Sequence, residues 1–70
     1  MNYQTAIELA AMAAYEDDAD QVVGYMPDSG WTWRHIEDNE CFKMTKTVRV
    51  GSDGVLPEWQ EQHQANLGAQ

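Results

Sequence analysis

Residues 41–50, CFKMTKTVRV, alternate in a way that few folds can absorb. Phe42, Met44, Val48 and Val50 share one parity, and Lys43, Thr45, Thr47 and Arg49 share the other. In extended backbone the two sets point to opposite faces, so the run predicts a half-buried antiparallel strand. Such a strand needs neighbours for its hydrogen bonds and an apolar cover for one face. Only Lys46 interrupts the apolar side. The rest of the chain has to supply both.

The neighbours come from QVVGYM (21–26) and WTWRHI (31–36), β-branched and aromatic runs separated by the turn chemistry of PDSG (27–30). EDNE (37–40) reads as a second turn. With even-numbered turns, Met26 faces Trp31, Gly24 faces Trp33 and Val23 faces Arg34. On the other side Ile36 faces Cys41, Trp33 faces Met44 and Arg34 faces Lys43. One face then carries Val22, Met26, Trp31, Trp33, Phe42, Met44, Val48 and Val50 as the core. A three-residue turn would undo this, because a one-residue slip reverses every side chain. The opposite face holds Val23, Tyr25, Thr32, Arg34, Lys43, Thr45, Thr47 and Arg49, a polar surface on which Arg34 and Lys43 are like-charged neighbours. It is solvated, covered in part by a helix, or set against an anionic group.

The cover comes from residues 3–17. Thr5 and Glu8 stand at capping-box spacing, and Tyr3, Ile7, Ala10 and Ala14 fall on one stripe at helical period. Small alanines let the helix sit close to a sheet. After GSDG (51–54), Pro57 opens a closing helix, PEWQEQHQANL, with Trp59, His63 and Leu67 on one side and Gly68 as its stop. The expectation is an α+β single domain over residues 1–70, in the order α-β-β-β-α. A three-stranded antiparallel sheet has the alanine-rich helix on one face and a short C-terminal helix.

Charge limits what such a domain binds. Twelve acids against four bases give a formal net charge of −8. That field repels phosphates, so direct nucleic-acid binding is not expected, and anionic membrane surfaces are disfavoured for the same reason. Cys41 is the one cysteine, without a partner for a disulfide or zinc-ligand spacing. No basic leader and no apolar run of bilayer length occurs. These features point to the cytoplasm, that of an infected host cell included.

Site chemistry is sparse. DDADQVVG lacks the alternating oxygen ligands of a calcium loop. His35, Cys41 and His63 are scattered, and acidic neighbours would raise a thiol pKa instead of activating it. No phosphate loop is present, and a chain of this length leaves little room for a closed pocket. No catalytic residue, metal or cofactor is expected, and the chain is read as a non-enzyme. Trp31 and Trp33 share the core parity, so they read as packing and not as a base-stacking platform.

What stands out is the placement of acids. YEDDADQ puts Glu16, Asp17, Asp18 and Asp20 at a helix C-terminus, where the backbone already carries about half a negative charge. If the strands run as read, Glu37, Asp38 and Glu40 come to the same end, which gathers seven of the twelve acids. Mixed signs are the usual surface, and one sign in one place costs stability that a basic partner would relieve. The expected function is an acidic protein-binding module, an inhibitor or regulator. Its acidic edge would dock on a basic surface of a larger protein. Many such surfaces are nucleic-acid channels, and a carboxylate cluster could occupy one of those as a phosphate mimic. Tyr25 and Trp59 are added as aromatic interface anchors. In charge and size the chain is similar to compact acidic proteins that phages and mobile elements use against host machinery, some anti-CRISPR proteins among them. The alternative is a structural or accessory subunit, a homodimer joined at an exposed edge in strand one or three, with charge serving solubility.

Overall fold

The computed structural model describes residues 1–69. Helix α1 spans Tyr3–Asp17, followed by strands β1 (Gln21–Met26) and β2 (Gly30–His35). A 3-10 turn at Asn39–Lys43 leads to β3 (Thr45–Gly51), then the short β4 (Gly54–Val55). A second 3-10 turn, Pro57–Trp59, runs into helix α2 (Gln60–Ala69). The class is the expected α+β, two helices with an antiparallel sheet, but the sheet has four strands in the order β2-β1-β3-β4. The fourth is a hairpin return through the two-residue loop Ser52–Asp53, with Gly54 at φ 113. The GSDG signal that ended strand three also starts strand four.

Strand β1 is the centre of the sheet and not an edge. Five of its six residues are buried, Val22 and Val23 on opposite faces. A continuous apolar run buried on both sides belongs inside a sheet. β2 and β3 flank it, so the expected β2–β3 pairings (Ile36 with Cys41, Trp33 with Met44, Arg34 with Lys43) do not form. EDNE does not turn the chain back. The Asp38 side chain accepts from the Glu40 N–H at 2.8 Å and starts a 3-10 helix instead. Residues 36–44 then cross β1 on the face away from α1, and Phe42 ends 80% exposed.

The first register is slipped by one residue. The turn holds Pro27, Asp28 and Ser29, so Met26 faces Gly30, Tyr25 faces Trp31 and Val23 faces Trp33. Trp31 and Trp33 therefore lie on the side of Val23, not of Val22. A second irregularity completes the rearrangement. Val23 pairs Val48 and Tyr25 pairs Thr45, which leaves an extra residue in β3 and puts Lys46 at φ 55. This bulge reverses parity along β3. Val48 and Val50 face α1, whereas Met44 turns to the other side. Lys46, the one interruption of the alternating run, sits at the irregularity itself.

The apolar residues thus form two clusters and not one face. Tyr3, Ala6 and Ala10 of α1 pack on Val23, Val48 and Val50, with Trp31, Trp33, Trp59 and Leu67 around them. Val22, Met26 and Met44 pack beneath the crossover with Ile36 and Cys41. Contact there is tight: a Cβ on Gly24 would lie 2.7 Å from Met44 Cβ. The N-cap of α1 is Asn2, whose side chain accepts from the Thr5 N–H at 2.8 Å, so Thr5 is the capped residue and not the cap. Gly68 lies inside α2 and does not end it.

Candidate functional site: the acidic end of the sheet

Gln21 pairs with His35 and with Val50. The segment before β1, the turn after β2 and the turn after β3 therefore meet at one end of the sheet. The first brings Glu16, Asp17, Asp18 and Asp20, and the second brings Glu37 and Asp38. The third brings Asp53, which is not among the seven acids expected there. Asp20 and Asp53 line the same open groove, together with Gly51, Gly54 and Pro57. Glu40 does not join them. The 3-10 segment carries it towards the opposite end, where it lines a depression with Met26, Pro27, Asp28 and Lys43.

Some of these acids have structural duties. Asp18 is the C-cap of α1 in the left-handed region, φ 52 and ψ 41, with its backbone N–H bonded to the Ala14 carbonyl. Asp and Asn visit this region more readily than most residues, which answers part of the question posed by YEDDADQ. Asp38 caps the 3-10 helix. Glu40 meets Arg34, Oε1 to Nε at 3.5 Å, the one ion pair among the described residues. The side chains of Glu16, Asp17, Asp20, Glu37 and Asp53 make no hydrogen bond or ion pair among the described residues.

The cations make their contacts with other groups, although Arg34 and Arg49 stand one residue in from the acidic end. Arg34 and Arg49 both flank Val22, on the face away from α1. Arg34 also donates through Nη1 to Thr32 Oγ1 and to the Trp33 carbonyl, both at 2.8 Å. Arg49 lies over the Trp59 ring, 5.8 Å from its centroid, and Lys46 lies 6.0 Å from that of Tyr25. Lys43 extends over Phe42.

Of the two proposed aromatic anchors, Tyr25 stands apart from the acids, whereas Trp59 lines a depression with Val22, Ile36 and Arg49, close to the acidic end. Tyr25 is 38% exposed, at the far end of β1, edge-on to Trp31 at 5.4 Å. Trp59 is half-buried and packs on the main core. Cys41 is half-buried beside Val22 and Ile36. Burial pushes its thiol pKa up, Asp38 adds to that, and Arg34 and Arg49 oppose it. The thiol is thereby held in its less nucleophilic form.

A separate polar cluster locks α2 to the rest. The Tyr3 hydroxyl and His63 Nδ1 are 2.7 Å apart. Asn66, 1% exposed, donates through Nδ2 to the Lys46 carbonyl at 3.0 Å and accepts from Gln62 Nε2 at 2.9 Å. Among the described residues no three His, Cys, Asp or Glu side chains group in a way that would hold a metal ion. No helix is long and apolar enough to cross a membrane. No family model, no curated protein and no solved structure matches the chain, so the site is read from its own residues.

Proposed function

We propose that this chain is a non-enzymatic acidic binding module, an inhibitor or regulator that sets its acidic end against a basic surface of a larger protein. One observation carries the reading: Glu16, Asp17, Asp20, Glu37 and Asp53 come from three segments to one end of the sheet, without a bonded cation among the described residues. A basic partner supplies the missing counter-charge and draws the chain in by long-range attraction. Basic protein surfaces commonly hold nucleic acid, and a fixed group of carboxylates occupies such a channel as phosphates would. In this it would act in kind like phage or mobile-element inhibitors such as anti-CRISPR proteins.

The test uses acids that have no structural duty. Asp17→Lys combined with Glu37→Lys should abolish capture of a basic partner from a cell extract while circular dichroism stays unchanged. Capture by the unaltered chain should fall steeply between low salt and about 0.15 M. Capture that survives both treatments removes the acidic end from consideration. A second reading, a homodimeric or accessory subunit, is favoured by the outer edge of β2, which pairs with no strand. Light scattering would then show a stable dimer that the same two substitutions leave intact.

A further inference from the structure

The outer face of α1 carries a row that the core does not use. Tyr3, Ala6, Ala10 and Ala14 take the buried side. Leu9, Met12 and Tyr15, at three-residue steps on the other, are 37%, 60% and 79% exposed. Single exposed apolar residues are ordinary, but three adjoining on one helix face form a patch. Beside it Ala11, Met12, Tyr15, Glu16 and Ser52 line an open, shallow notch of about 300 Å³ between the helix and the β3–β4 turn. Glu8, Met12 and Glu16 lie at four-residue steps, so a carboxylate stands on each side of Met12 along the helix. Helix α1 contains no Lys or Arg.

We infer that this face of α1 receives a basic amphipathic segment of a partner protein. Apolar side chains of that segment cover Leu9, Met12 and Tyr15, one of them filling the notch, while its Lys or Arg residues meet Glu8 and Glu16. Charge selects this occupant. A second copy of the chain would press like charges together, and a neutral apolar segment would desolvate both carboxylates without compensation. Tyr and Met are also enriched at the centres of protein interfaces. The inference rests on the proposed docking of the acidic end and extends that surface from the sheet end along the helix.

The probe is a helical peptide with Leu along one side and Lys on the other, against a control in which Ser replaces each Leu. Titrated at about 0.15 M salt, the leucine peptide should bind at least about tenfold more tightly than the control. Met12→Ser and Tyr15→Ser, both on solvent-exposed positions, should each remove about that advantage and leave binding of the control unchanged. Equal binding of the two peptides, or no effect of either substitution, overturns the inference. If those substitutions do nothing while Asp17→Lys with Glu37→Lys releases both peptides, the acidic end binds by charge and the helix face is not used. If the charge reversals release neither peptide, the acidic-end reading itself falls. Self-association of the chain that Met12→Ser abolishes would assign the face to a second copy and likewise overturn the inference.

Discussion

Asp18 combines two local penalties, a left-handed backbone at φ 52 and a negative charge at the end of a helix with no basic residue in its last turn. Glycine removes both, at some entropic cost in the unfolded chain. Asp18→Gly should therefore raise stability by about 1 kcal/mol in denaturant unfolding, and a loss of stability would show that the carboxylate has a bonding role. Gly24 is the opposite case. Its missing Cβ makes room for Met44 Cβ at 2.7 Å and Thr47 Cγ2 at 3.0 Å, so Gly24→Ala should cost about 1–3 kcal/mol. Because alanine keeps the Cβ that clashes, adding Met44→Ala should not rescue it; recovery in the double variant would contradict this packing. Tyr3 is buried, which raises its phenol pKa, an effect that the Asn66 amide partly offsets. The folded chain thus holds that proton more tightly than the unfolded chain does. Stability is full below the ordinary phenol pKa of about 10 and declines as pH rises past it. Thermal melts across that range should show the decline in the parent, and Tyr3→Phe should remove most of it.

At the level of elements, the bulge in β3 does most to shape the molecule. It turns the residues on its two sides to different clusters, Val48 and Val50 of β3 above the sheet and Met44, just before β3, below. Asn66 fixes it from α2 by donating to the Lys46 carbonyl. Asn66→Ala leaves that carbonyl without its donor and should destabilise the fold by about 1–3 kcal/mol, whereas Ala65→Ser, one residue away on the exposed side, should be neutral. The boundaries of α1 and β1 were legible from period and composition alone, because an alanine stripe and an unbroken apolar run each fit one environment. The register was not. A single residue in the turn after Met26 decides which face Trp31 and Trp33 take, and the expected four-residue loop PDSG differs from the observed three-residue one only in whether Gly30 joins the strand. The fate of EDNE was equally hidden, since an Asp side chain that accepts a backbone N–H serves a turn and a 3-10 start alike. Two signals were readable in hindsight: Val22–Val23 as the mark of a central strand, and the isolated Lys46 as the mark of a bulge.

The whole molecule measures 29 × 23 × 20 Å, several times the Debye length of about 8 Å at physiological salt. Charges at opposite ends scarcely interact, while those at one end do. The acids before β1 and after β2 were legible as neighbours because any antiparallel β1–β2 pair brings these segments together, whatever the exact register. Glu40 was misplaced and Asp53 not included, because their positions depend on the crossover and on the fourth strand. Unbalanced charge at one end has a thermodynamic signature. The melting temperature should rise with added salt, and Asp17→Asn should raise it at low salt by more than Asp28→Asn at the far turn; equal effects would mean that the carboxylates do not repel one another there.

The most direct measurement compares position with net charge. Asp17→Lys with Glu37→Lys changes the charge at the acidic end, and Asp28→Lys with Glu61→Lys makes the same overall change elsewhere. Both variants and the parent, immobilised, are exposed to the same extract at one salt concentration. The account predicts that the first variant loses its basic partner and the second retains it. Equal retention or equal loss in the two would contradict it, because binding would then follow either no charge or only the total.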